Sequence, residues 1–138
     1  MSKVCFVGIT DKIGMKPFDP STKSGIIIDQ IISQLDFDCD KINYVSFSPL
    51  SENGKLRYPT KDELTNSFVS FQERISQIQP DLLVVCGKMI AKELQKHNFY
   101  QDKVLIIYHP SYVYVYKRNH IDSYVQEVVK QIKEIILL

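Results

Sequence analysis

The 138-residue sequence predicts an α/β domain of three layers, α/β/α, around a four-stranded parallel sheet. Three observations carry that expectation. Four apolar runs, VCFVG, INYVSF, LLVVCG and VLIIY, are short and rich in β-branched residues. The runs are continuous instead of alternating, as strands covered on both faces require. Between them, and after the last, apolar residues recur at helical spacing.

Taken in order, residues 3–8 form the first predicted strand, ending in Gly8. Residues 9–24, ITDKIGMKPFDPSTKS, read as a long loop, and a loop of that length after a first strand is more often functional than idle. Ser21 or Ser24 is the expected cap of a helix over residues 25–35, with Ile26, Ile27, Ile28, Ile31, Ile32 and Leu35 giving a broad apolar face. A second strand is expected over residues 42–47, followed by a polar loop to Pro59. Thr60 and Glu63 have the spacing of a capping box, and the helix they open carries Leu64, Phe68, Phe71, Ile75 and Ile78 before Pro80 stops it. The third strand is LLVVCG, and a short helix runs from Gly87-Lys88 through Leu94. The fourth strand, residues 104–108, is expected to be buried on both faces. Pro110 ends it, since proline lacks a backbone donor and drives His109 out of the helical region. Asn119 and Asp122 give a cap signal for a last helix striped by Ile121, Tyr124, Val125, Val128, Ile132, Ile135 and Ile136.

With no repeat and no linker, residues 1–138 read as one domain. Hydrophobic and charged residues, 44% and 24%, stand in globular proportion, and no apolar run is long enough to span a bilayer. A net charge of +1 provides no global field for nucleic acid, so any such affinity must come from a local patch. Cys5, Cys39 and Cys86 are scattered, without the spacing of a metal site or disulfide framework. Cys5 and Cys86 fall inside apolar runs and read as small core residues. An intracellular, cytoplasmic location is the expectation.

Right-handed crossovers place every strand-to-helix loop on one edge of the sheet, where open α/β sheets bind ligands. That edge has no Walker loop, GxGxxG or GxSxG, and Ser111 lacks the elbow glycines of a serine hydrolase. It does bring Phe18, Asn43, His109 and Ser111 together. Phenylalanine stacks on planar rings, and an asparagine amide can pair with a ring edge bearing both a carbonyl and an N–H. Histidine can donate to an oxygen that gains negative charge. The set suits a pyrimidine-sized nucleobase leaving as an anion. Tyr112, Tyr114 and Tyr116, leading to Lys117-Arg118, add aromatics beside base, as a groove for single-stranded or distorted nucleic acid needs.

Four segments then resemble one family in the right order. GMKPFDPSTKSG, INYVSFSPL, PTKDELTNSFVSFQERISQIQPDLLVVCGKMIAKEL and HPSY are similar to successive motifs of the uracil-DNA glycosylase superfamily, especially its small bacterial and archaeal branches, across residues 4–136. The resemblance implies a uracil-DNA glycosylase-like fold and hydrolysis of the N-glycosidic bond of a flipped-out nucleotide. It assigns the stacking ring to Phe18, reading of the base to Asn43 and stabilisation of the leaving anion to His109. Thr10 and Asp11 become the candidates for holding the attacking water. Ser111, Tyr112, Val113, Lys117 and Arg118 become the DNA-binding candidates, with Tyr112 or Val113 as the wedge that replaces the flipped base.

The departure lies in the first motif, Gly8-Ile9-Thr10-Asp11-Lys12. Thr10 stands where the family often has Asp or Asn, Ile9 where it has Gln, Glu or Asp, and Asp11 where it has Pro. Two readings follow: a monofunctional glycosylase for uracil or a similar deaminated base, or a catalytically degenerate DNA-binding module that keeps the fold. Neither calls for a metal or other cofactor. The expected partner under both is single-stranded or mispaired DNA, bound by a monomer without membrane attachment, nucleoid-associated in a bacterium or archaeon.

Overall fold

The computed structural model describes residues 2–137. Its strands are β1 (Lys3–Thr10), β2 (Asp38–Val45), β3 (Leu82–Cys86) and β4 (Val104–Ile107). They form one sheet in the order β2-β1-β3-β4, every pair parallel. The helices are α1 (Lys23–Ile32), α2 (Lys61–Ile78), α3 (Lys88–Lys96), α4 (Pro110–Tyr116) and α5 (Ile121–Ile136).

Two apolar layers cover the sheet. Val4 and Phe6 of β1 and Leu82, Val84 and Cys86 of β3 meet α1 through Ile27, Ile28 and Ile31 and α5 through Val125, Val128, Val129 and Ile132. The alternate residues, Cys5, Val7, Leu83 and Val85, meet Phe71 and Ile75 of α2 and Ile90 and Leu94 of α3. This is the three-layer arrangement that the continuous strands predict, and Cys5 and Cys86 are fully buried within it. Burial pushes the Cys5 thiol up to about 12, so it stays protonated.

The capping box forms as read: Thr60 Oγ1 accepts from the Glu63 N–H, and Glu63 accepts from the Thr60 N–H at 2.8 Å. Arg57 adds a two-pronged contact to Glu63, holding its carboxyl down at about 2 and pinning the polar loop to α2. α2 ends on Gln79 in the left-handed region just before Pro80.

Three local expectations are corrected. Thr22, not Ser21 or Ser24, caps α1, with its hydroxyl accepting from the Gly25 N–H at 2.9 Å. Ser21 donates instead to Asp19. His120, not Asn119, stands at the cap position of α5, because a short 3₁₀ turn, Arg118–His120, leads into that helix. β4 is an edge strand with only one covered face. Ile107 and the half-buried Leu105 pack towards α5, while Val104 and Ile106 are 40% and 56% exposed. The nine-residue α3 packs on β3 and β1, so that face of β4 stays bare.

Candidate active site

Strand order reverses between β1 and β3, the switch point at which open α/β sheets form a ligand crevice. A cavity of about 300 Å³ opens at that edge, and its walls include Ile9, Thr10, Phe18, Asn43, His109 and Ser111.

Phe18 is held there against its own backbone preference. Its φ of 47° lies in the left-handed region, where a bulky side chain is strained. Lys41 Nζ donates to its carbonyl at 3.3 Å and pairs with Asp29 at 2.6 Å. The neighbouring Asp19 carboxylate accepts from the Ser21 N–H and hydroxyl and from the Lys16 N–H, which keeps it ionised below the usual range. Gly25 lets α1 close on this turn, since a Cβ there would lie 1.9 Å from the Asp19 carbonyl oxygen. The Phe18 ring, 8% exposed, ends 5.9 Å from the His109 ring, tilted by 37°.

Asn43 is buried near the end of β2. Its Nδ2 donates to Asp11 Oδ1 at 3.0 Å, which orients the amide, because a carboxylate only accepts. Arg74 of α2 secures the strand beneath it, donating to the carbonyls of Asn43 and Tyr44 at 2.6 and 2.9 Å. Gly8 makes the approach possible: a Cβ there would stand 2.4 Å from Asn43 Oδ1 and 3.1 Å from Phe18 Cζ.

His109 follows β4, with Pro110 as the first residue of α4. Its Nδ1 accepts the Ser111 backbone N–H at 3.1 Å and the Ser111 hydroxyl at 2.8 Å. A backbone N–H can only donate, so Nδ1 carries no proton and the neutral ring is protonated at Nε2. Burial, with the Lys12 charge second, holds the His109 pKa down to about 4. Near neutral pH this is an uncharged imidazole with Nε2–H as its donor. Tyr124 of α5 anchors the turn by donating to the Tyr108 carbonyl at 2.5 Å.

Phe18, Asn43, Thr10, His109 and Ser111 thus line one cavity, as the sequence predicts. Asp11 does not line it; its carboxylate is turned onto the Asn43 amide and its N–H donates to the Val45 carbonyl at 3.2 Å. Val113 is corrected: at 1% exposure it belongs to the core side of α4 and cannot enter a duplex as a wedge. Tyr112 remains on the surface. The two cations that end the motif diverge. Lys117 Nζ lies 5.6 Å from the Tyr108 ring centroid, whereas Arg118 stacks over Tyr114 at 4.2 Å and donates to its carbonyl.

Sequence reasoning missed Gly8, Lys41 and Arg74, which shape the site from behind its walls. It also missed Lys12, Lys16, Arg57 and Tyr58, which line the cavity from the two long loops. Gly8 ending a buried strand was a signal that could have been used. The lysines and Arg74 had none, because their role depends on which loop folds over which strand.

The fold and site define a parallel α/β domain with an aromatic, amide and imidazole pocket at the carboxyl edge of its sheet. The family model of the uracil DNA glycosylase superfamily matches residues 2–133. The chain belongs to that superfamily and is a DNA glycosylase-like protein. Among solved structures, that of wild-type SMUG2 from Pedobacter heparinus is similar, with a TM-score of 0.68 at 16% identity, covering 96% of this chain and 75% of that one. At that identity the likeness is one of fold. No curated protein matches the chain in sequence.

Proposed function

We propose that this protein is a monofunctional glycosylase that excises uracil or a similarly deaminated base from single-stranded or mispaired DNA. The observation that carries the reading is the imidazole tautomer: an uncharged His109, its Nδ1 occupied by Ser111 and its Nε2–H left as a donor, beside the Phe18 ring and the buried Asn43 amide. A flipped pyrimidine stacks on Phe18. Asn43, oriented by Asp11, offers its Oδ1 to a ring N–H and its second Nδ2 hydrogen to a ring carbonyl.

As the bond between the sugar C1′ and the ring nitrogen breaks, the electron pair goes to the ring. His109 Nε2–H donates to the oxygen on which that charge gathers. A neutral donor stabilises the anion without transferring its proton in the ground state. Water then bonds to C1′ and loses a proton, which the departing base anion takes up through solvent, leaving an abasic sugar and the neutral base. In this scheme Thr10, on the cavity wall, positions the water, and Asp11 is a positioning residue for Asn43.

The second reading, a DNA-binding module without hydrolysis, is favoured by the first motif alone: Ile9 supplies an apolar wall and the Asp11 carboxylate is engaged elsewhere. A single assay separates them. A labelled single-stranded oligonucleotide with one uracil is incubated with excess protein and treated with alkali. The glycosylase reading expects strand cleavage at the uracil, faster in single strands and U·G mispairs than in U·A pairs, since unpairing costs less there. No abasic site after hours in molar excess leaves the binding module.

A further inference from the structure

The bare face of β4 does not end at the strand. It continues through Tyr108 into one side of α4, where Tyr112 and Tyr116 follow at intervals of four residues. Helical spacing sets such residues one above another. The Tyr108 and Tyr112 rings stack with centroids 5.2 Å apart and planes 19° apart, and Tyr112 and Tyr116 follow at 5.0 Å and 45°. All three are exposed, by 52%, 41% and 72%. A contiguous row of exposed aromatic rings is the kind of patch that marks an interaction surface.

The surroundings say what they suit. A groove lined by Tyr108 and Tyr112, with Tyr116 next in file beyond it, shares Ile9, Tyr58, His109 and Ser111 with the cavity lined by Phe18 and Asn43, so the two are continuous. Lys88, Lys117 and His120 also line it, with Glu127 of α5 as the one carboxylate. Lys117 sits over the first ring. Exposed aromatic rings in file, flanked by base and leading to a base-sized pocket, match a strand whose bases are unpaired. A duplex keeps those faces stacked on each other and unavailable.

We infer that Tyr108, Tyr112 and Tyr116 form a stacking track for the unpaired nucleotides on one side of the base held in the pocket, making single-stranded DNA the preferred ligand. The inference rests on the nucleobase reading of the cavity but not on catalysis. Tyr116, at the open end of the file, offers a ring face to a base of any identity, the exposed edges of Tyr112 and Tyr108 meet the bases beside it, and Lys117 and Lys88 meet the phosphates. The track therefore tolerates sequence and discriminates against pairing.

The test uses the whole protein and fluorescein-labelled oligothymidylate, which contains no uracil, in an anisotropy titration with a duplex of the same length as control. The parent is expected to bind the single strand more tightly than the duplex. Tyr116→Ala, at the most exposed ring, is expected to weaken single-strand binding by roughly 5- to 150-fold, the range for one lost base stack, and to leave duplex binding unchanged. Tyr116→Phe keeps the ring and is expected to bind as the parent does. The protein has eight tyrosines and no tryptophan, so oligothymidylate should quench tyrosine emission directly, and less in Tyr116→Ala.

Equal affinity of parent and Tyr116→Ala for the single strand overturns the track. So does an equal loss for single strand and duplex. If light scattering shows that the parent is a dimer which Tyr116→Ala splits, the stripe is an interface between copies and the track is again wrong. Uracil release is followed separately by alkaline cleavage. A parent that binds along the tyrosines but releases no uracil refutes the glycosylase reading and keeps the track; one that releases uracil while Tyr116→Ala binds and cuts like it keeps the glycosylase and removes the track.

Discussion

Within the cavity, His109 and Asn43 each act through a neighbour that fixes their polarity. Ser111 holds the His109 proton on Nε2, and Asp11 turns the Asn43 amide. His109→Ala is expected to slow uracil release by roughly 2.7–4 kcal/mol of barrier if the imidazole acts as an oxyanion-hole donor does. Asn43→Ala should leave ring polar groups unpaired at roughly 1–3 kcal/mol, read in the ratio of kcat to KM for uracil. Asp11→Asn separates holding Asn43 from activating water. A rise in KM with kcat nearly kept marks the positioning role, and a collapse of kcat alone assigns the water to Asp11.

The depressed pKa of His109 also has a sign in stability. Folded, the ring titrates near 4; unfolded, near 6.5. Between those values the unfolded chain binds more protons, so stability is highest above pH 6.5 and falls as pH drops towards 4. The slope is on the order of 1 kcal/mol per pH unit across that window. Urea melts at pH 7, 6 and 5 should show it, and His109→Gln should flatten it.

At the scale of elements, α1 and α2 reach the site through backbone contacts. Gly25→Ala puts a methyl group into the Asp19 carbonyl, so α1 must back away from the turn that carries Phe18. The expected loss is on the order of 1–3 kcal/mol in denaturant midpoint, accompanied by weaker base binding. The cap of α2 touches the site from its other end. Thr60→Ala should cost about 1 kcal/mol in denaturant midpoint, and because Glu63 of the same capping box holds Arg57 on the cavity wall, base binding should weaken with it. α4 shows how an element changes the meaning of its residues. Read as alternating along the sequence, Tyr112, Tyr114 and Tyr116 form one set. On a helix Tyr112 and Tyr116 share a side with Tyr108, and Tyr114 joins Arg118 and Lys23 on another.

For the molecule as a whole, a net charge of +1 conceals a local arrangement, because Lys12, Lys16, Lys88 and Lys117 all stand along the cavity and the groove that leaves it. Binding to DNA should therefore depend on salt despite the near-neutral total. Lys117→Ala is expected to lower the log–log salt slope by about one unit, while Arg118→Ala, whose guanidinium is engaged by Tyr114, should lower it by much less. Fluorescence titrations at several salt concentrations measure both. Among the described residues no helix is long and apolar enough to cross a membrane.

The sequence by itself determined the class of fold, the order of the strands and of α1, α2, α3 and α5, and the α2 capping box, whereas α4 stood where a loop was expected. It also determined which side chains meet at the carboxyl edge, because Phe18, Asn43 and His109 follow from strand ends and right-handed crossovers. Those properties are local, or follow from periodicity and chain connectivity, and both are written in residue order. Tertiary structure alone decided that β4 has a bare face, since that depends on how far the short α3 reaches across the sheet. It also decided that Val113 is buried, that Asp11 faces Asn43 instead of the cavity, and that Lys117 and Arg118 part company. Each of these is set by which surfaces meet in space, and a one-residue turn in a loop or a change from extended to helical backbone reverses it without altering any pattern in the sequence.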